Sequence, residues 1–174
     1  YPGVKQSIAA SAAIFRNEAY HLDMVRAGLS IYGLNPLSDS PNPLRPVVWL
    51  DARILQVKTI RPGSPVGYGS SYRAERETTV ATVALGYADG FLRSLTNRGA
   101  LYYNGQACRV IGRVSMDAVT VDMGMQMQMP RPGDMLEVIG PHQSADDLAA
   151  AAGTIGYEIL TSMGSRYHRE YSGG

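Results

Sequence analysis

From Val47 onward the chain alternates short β-type runs with turn residues, and this rhythm leaves few folds open. The runs are VVWLDARILQVKTI, TTVATVALGYA, GALYYNG, ACRVIGRV, DAVTVDMG and DMLEVIG, broken by RPGS, NRG, NGQ, MPRPGD and GPH. Short strands at close spacing with Gly/Pro turns predict a small β-barrel or sandwich. YNGQ is the strongest local signal, because Asn-Gly suits the two-residue type I′ turn of a hairpin. Towards the end the pattern turns helical. Ser144 precedes ADDLAAAAG and is placed to cap a helix, with Asp147 three residues on in a variant of the capping box. Asp146 and Asp147 then complement the helix dipole, and Gly153 stops the helix. TIGYEILTSM predicts a second short helix from Thr154, and SRYHREY reads as a closing strand.

The beginning is different. SIAASAAIF is small and apolar, and HLDMVRAGLSIYGL passes through an arginine and a glycine. Residues 1–40 read as the tail of an α/β unit: a short strand, a helix around 15–22, then a strand near Met24–Arg26. NPLSDSPNPLRP, residues 35–46, holds four prolines among Ser, Asn and Asp and reads as a linker. Residues 41–174 would then form a mainly β domain with short helices near its end. MGMQMQM, residues 123–129, is odd in composition and reads as a mobile loop.

Composition narrows the function classes. A net charge of +1 leaves no electrostatic case for nucleic acid or an anionic membrane. No apolar run approaches the roughly 18 residues of a membrane span. Cys108 is the only cysteine, so an internal disulfide and a cysteine zinc site are both excluded. Its lone thiol fits a reducing compartment, and the cytoplasm is the expectation. The chain opens on YPGVKQS rather than methionine, which reads as an internal or processed start. Arginine dominates the cations, and Lys5 and Lys58 are the only lysines. His21, His142 and His168 lack metal-ligand spacing, so no metal site is expected. There is no G-x-G-x-x-G and no P-loop.

What remains is a set of tyrosines beside glycines: Tyr32, Tyr68, Tyr87 and Tyr157. Each alone reads as a packing residue whose hydroxyl finds a partner. Tyr68 is the most unusual, since Gly67 and Gly69 flank it. Glycine at such a place marks a bulge or a close backbone approach. The residues alone leave open whether Tyr68 packs or is a phenol held out for chemistry.

The order of segments is more specific. SIAASAAI, MVRAGLSIYGL, PVGYGSSY, VALGYADGF, VIGRVSMDAVTVDM and TIGYEILTSMGSRYHREY resemble, along essentially the whole chain, the carboxy-terminal half of the alanine racemase family. The resemblance implies the last elements of a (β/α)₈ barrel that binds pyridoxal 5'-phosphate (PLP), followed by a β-rich domain. It implies racemisation of L-alanine and D-alanine by two bases, one on each face of the substrate. Tyr68 would be one base and a PLP-bound lysine the other. Ser11, Gly28, Leu29 and Tyr157 would bind the cofactor phosphate, and Arg26 would face the pyridine nitrogen. An arginine does not readily give up a proton, so the ring nitrogen would stay largely unprotonated. Tyr87 would line the substrate entrance, Met116 would donate its backbone N–H to the substrate carboxylate, and Asp117 would sit beside it. A small cavity would select alanine over larger side chains. Asp89 reads as a turn or interface residue.

The resemblance also implies a homodimer with shared active sites, Tyr68 serving the partner subunit, and D-alanine supply for cell-wall peptidoglycan. The PLP lysine is expected upstream of residue 1, because Lys5 and Lys58 stand in the wrong contexts. The chain alone is therefore expected to be inactive without the upstream barrel segment. Position 10 is alanine where many family members have asparagine. Two other readings stand beside this one: a PLP-dependent serine or broad-specificity racemase, and a non-catalytic dimerisation or PLP-binding module.

Overall fold

The structure is a computed structural model that describes residues 2–37 and 39–173. The chain forms two compact units, residues 1–48 and 49–174.

The second unit is a closed antiparallel barrel. Its strands are β1 (Leu50–Ile60), β4 (Thr78–Val83), β5 (Ala100–Tyr103), β6 (Gln106–Val110), β7 (Val119–Asp122) and β8 (Met135–Ile139). A separate two-stranded ribbon joins β2 (Pro65–Val66) to β3 (Tyr72–Arg73). The order around the barrel is β1-β4-β7-β6-β5-β8. Barrel and sandwich were both open from sequence, and closure decides for the barrel. β1 makes closure possible by bending. Its first half pairs with β8 and its second half with β4, with register shifts at Leu50/Asp51 and Ile54/Gln56. Such bulges are how a strand turns a barrel corner.

Local chemistry explains most of the elements. Asn104 and Gly105 both take positive φ, 48° and 79°, in the two-residue turn that pairs Tyr103 with Gln106. β5 and β7 alternate buried and half-buried residues, as strands with one core face do. Inward-facing Ile54, Val83, Leu101, Val110, Val121 and Leu136 are almost fully buried. Each such side chain contributes about 1.5–3 kcal/mol relative to exposure. The β5–β8 seam has a single residue pair, Tyr102 with Glu137. Buried Gln143 reinforces it by donating Nε2–H bonds to Val138 O (2.7 Å) and Ala100 O (3.1 Å).

Helix α2 (Ala145–Ala152) starts as its sequence dictates. Asp147 N donates to Ser144 Oγ (3.1 Å) and Ser144 N to Asp147 Oδ2 (2.9 Å). Gly153, at φ 77°, ends it. Helix α3 (Gly156–Ser162) follows and packs against α2. The strand expected in SRYHREY does not form. The barrel closes on itself, so its sheet offers no free edge for another strand.

In the first unit, Ala10 and Arg26 form one parallel bridge, with Arg26 N donating to Ala9 O (2.9 Å). Helix α1 (Ser11–Arg16) follows the bridge directly. The helix expected around 15–22 is therefore earlier and shorter. Asn17 is extended, and its side chain accepts from Ala19 N to start a 3₁₀ turn over Glu18–Tyr20. The strand near Met24–Arg26 reduces to the bridge at Arg26, which has one neighbour to pair with. Among the described residues, no helix is long and apolar enough to cross a membrane.

Candidate active site

The first unit gathers hydrogen-bond donors at one oxygen. Ser11 opens α1 and is buried; Gly28 precedes the 3₁₀ turn Leu29–Tyr32. Ser11 Oγ accepts from Gly28 N (3.0 Å) and Ser30 N (3.2 Å) and shares a hydrogen bond with Ser30 Oγ (3.1 Å). Two turns thus begin where the bridged segments end, and the first N–H groups of a helical turn have no partner within it. Two hydroxyls and converging N–H groups are a donor set suited to a phosphate oxygen. Ser11, Ser30 and the Gly28 backbone are groups of the kind that bind a phosphate, and Leu29 opens the turn beside them. Arg26 is exposed, and its guanidinium donates to Ser7 Oγ (2.7 Å) and to the carbonyls of Ser7 (3.1 Å) and Ile8 (3.4 Å). These neutral partners leave its charge uncompensated within the bonded set. Lys5 is exposed, and Lys58 is exposed on β1.

In the second unit the GYG stretch explains itself by geometry. Gly67 has φ 73°, and a Cβ there would lie 2.6 Å from Arg113 N. Only glycine lets this backbone run against Gly112–Arg113. Gly69 has φ 66°, so the chain reverses immediately after Tyr68. The result is a tyrosine on a short 3₁₀ turn, Tyr68–Ser70, with 73% of its surface exposed. The loop is anchored on both sides. Val66 and Ala74 pack with Ile60, Val80 and Ile111, and Tyr72 covers them. Asn97 donates to Ser71 O (3.4 Å) and accepts from Gly112 N (2.6 Å). Tyr68 lines a cavity of about 330 Å³ with Gly67, Arg113, Ser115, Ala118, Val119 and Thr120. Sequence reasoning passed over Arg113, although it stands inside VIGRVSMDAVTVDM.

The GYADG and SMD segments meet. Tyr87 N donates to Ser115 O and Ala88 N to Met116 O, both at 3.0 Å. Gly86 allows the contact, since a Cβ there would lie 2.2 Å from Met116 O. Asp89 caps its own turn, accepting from Gly86 N at 2.8 Å, which matches its reading as a turn residue. Ser115 N donates to Ala118 O (3.1 Å) and Ala118 N to Ser115 Oγ (3.2 Å), closing a tight turn. Met116 and Asp117 stand at its tip, and neither bond uses their N–H groups. Tyr87 and Met116 are both exposed. The Asp117 carboxylate is taken by Arg166, at 2.7 Å. Tyr157 lies in the first turn of α3, partly exposed, with its carbonyl accepting from Thr161 Oγ1 (2.7 Å).

Burial acts on a thiol and on a phenol of the second unit. Burial pushes Cys108 up to about 11. Burial, and then the Asp89 carboxylate, push Tyr167 above the ordinary phenol range. Among the described residues, no three His, Cys, Asp or Glu side chains converge as a metal site.

These features define a class first: a small antiparallel barrel domain, preceded in the chain by a short parallel α/β segment, with polar and aromatic side chains gathered on its loops. Residues 47–171 match the family described as alanine racemase, C-terminal domain, and residues 2–36 match alanine racemase, N-terminal domain. A catabolic alanine racemase of Mesorhizobium japonicum is 45% identical over 99% of this chain and 45% of its own length. An alanine racemase of Cereibacter sphaeroides is 46% identical over 97% of this chain and 46% of its length. The crystal structure of alanine racemase from Bartonella henselae, with covalently bound pyridoxal phosphate, superposes with a TM-score of 0.94. It is 42% identical, over 98% of this chain and 48% of that one. The chain belongs to the alanine racemase family, and it spans about half the length of the curated relatives it matches.

Proposed function

We propose that this chain is the carboxy-terminal half of a PLP-dependent racemase that interconverts L-alanine and D-alanine, with Tyr68 as one of two bases. The observation that carries the reading is the presentation of Tyr68. A glycine-enforced loop holds it exposed in a cavity that Arg113 also lines. A phenol that merely packed would need none of this.

Ser11, Gly28 and Leu29 would hold the PLP phosphate, and Tyr157 would add its hydroxyl to the phosphate ligands. Arg26 would face the ring nitrogen. Bound PLP supplies an electron sink for negative charge at the substrate α-carbon. Tyr68 takes or returns the α-proton on one face, and its roles reverse with the direction of reaction. The Met116 N–H receives the substrate carboxylate, and Tyr87 narrows the entrance, so that larger side chains are rejected by size. The opposite base is a lysine outside residues 1–174. Residues 1–40 then complete a (β/α)₈ barrel, residues 41–174 form the domain that serves a partner subunit in a cytoplasmic homodimer, and the chain alone is inactive.

The test is Tyr68→Phe in the full-length protein. Racemisation is expected to fall by about 10²–10⁴-fold, the usual worth of a positioned acid–base group. PLP absorbance and thermal stability should stay near those of the parent. Racemisation at the parent rate would sink the base assignment.

A further inference from the structure

We propose that Arg166 is a positioning residue for the substrate entrance: by bridging Asp89 and Asp117 it holds the loops that carry Tyr87 and Met116 in register. The inference deepens the racemase reading and rests on it. Arg166 Nε lies 3.1 Å from Asp89 Oδ1, and its Nη1 lies 2.7 Å from Asp117 Oδ1. The two carboxylates belong to different loops, so one guanidinium joins GYADG to SMD. A planar fork with several fixed donors serves two acceptors in two directions, which an ammonium does less well.

The two arms differ. The Asp89 side chain is 10% exposed and that of Asp117 is 60% exposed. Asp89 uses its other oxygen to accept from Gly86 N (2.8 Å), so each of its oxygens has a task. One shapes the turn that presents Tyr87, and the other binds Arg166. Asp117 adjoins Met116, whose carbonyl already accepts from Ala88 N. The segment that carries Arg166 is itself seated on the same turn. A Cβ on Gly90 would lie 2.3 Å from Ser162 O, and one on Gly164 would lie 3.7 Å from Ala88 O. The barrel strands pair through none of these groups. Loss of Arg166 therefore acts on the entrance before it acts on the fold.

The experiment uses the full-length, PLP-loaded protein as parent, Arg166→Gln, Arg166→Lys, Asp117→Asn and the Arg166→Gln/Asp117→Asn double variant. Kinetics are measured with both alanine enantiomers and with L-2-aminobutyrate, and amide hydrogen exchange is followed at Tyr87 and Ala88. Arg166→Gln should raise KM for alanine by about 5–20-fold with kcat within about threefold, the pattern of lost binding geometry. It should also narrow the preference for alanine over 2-aminobutyrate and speed exchange of both amides. Arg166→Lys should recover part of each effect. The double variant should be no worse than Arg166→Gln, since both changes break one unit. Parent values of KM and selectivity in folded Arg166→Gln overturn the proposal, and so does unchanged amide exchange. If Arg166→Gln does not fold, Asp117→Asn decides, because it cuts only the exposed arm; parent KM and selectivity there overturn it equally. A parent protein that does not racemise alanine overturns the underlying reading and this inference with it. A racemising parent with an indifferent Arg166 overturns this inference alone.

Discussion

At the scale of the residue, Tyr68 owes its placement to the two glycines beside it. Gly67 is excluded from any other identity by both φ 73° and the 2.6 Å that a Cβ would leave to Arg113 N. Gly67→Ala is expected to destabilise the protein by about 1–3 kcal/mol, the cost of a strained backbone position. It should also depress racemisation of the full-length enzyme, because the phenol shifts with its loop. Urea unfolding and steady-state rates measure the two together. A variant with parent stability would show that the loop does not need its conformation. Cys108 makes the opposite case. It is fully buried, with its thiol pushed up to about 11 by burial. The thiolate is the reactive form. A thiol reagent at pH 8 should therefore leave the native protein unlabelled and react promptly after unfolding. Fast labelling of the folded protein would contradict this burial.

At the scale of the element, local signals sufficed where the chemistry was local. Asn104–Gly105 turns as its residue pair predicts, and Ser144 caps α2 within three residues of itself. Local signals also misplaced two elements. SRYHREY reads as a closing strand, but no sheet edge receives it. The helix around 15–22 is cut at Arg16, because Asn17 leaves helical backbone to cap the next turn. The barrel seam adds a feature that no local pattern announces. Gln143 spans Val138 O and Ala100 O, 43 residues away in the chain. Gln143→Leu keeps the bulk but leaves those carbonyls without their donor. It should cost about 1–3 kcal/mol, the penalty for an unsatisfied buried acceptor. Chemical denaturation measures it, and an unchanged midpoint would remove Gln143 from the seam.

At the scale of the whole molecule, barrel closure sets the pH response by forcing carboxylates together. Asp51 of β1 faces Glu137 of β8. Burial, then the Glu137 charge, raise the Asp51 pKa. Burial also pushes Glu137 up, but the hydrogen bonds from His142 outweigh it and the net pKa is lowered. The signs are therefore opposite. Glu137 stabilises the fold above the ordinary glutamate range, near 4.3, and that contribution is lost as pH falls through its lower folded value. Asp51 destabilises the fold at neutral pH and relaxes as it takes up a proton. Asp51→Asn should raise Tm at pH 7, and Glu137→Gln should lower it while flattening the decline towards pH 4. Thermal melts across pH 4–7 test both, and a lower Tm for Asp51→Asn at pH 7 would reverse the assignment.

What the sequence determined by itself is what a few adjacent residues decide. The barrel strands, their hairpin turn, the helix cap, the glycine-flanked phenol and the ordered motifs of the family were legible, since backbone preference and side-chain alternation act over short spans. The tertiary structure decided what depends on residues brought together from afar. Closure of the sheet rests on β1 pairing at once with β8 and β4. The cavity beside Tyr68 exists because residues 67–68 meet residues 113–120. Arg166 reaches Asp117 across 49 positions of chain. A charged residue announces its charge in the sequence, but only packing chooses which opposite charges it meets.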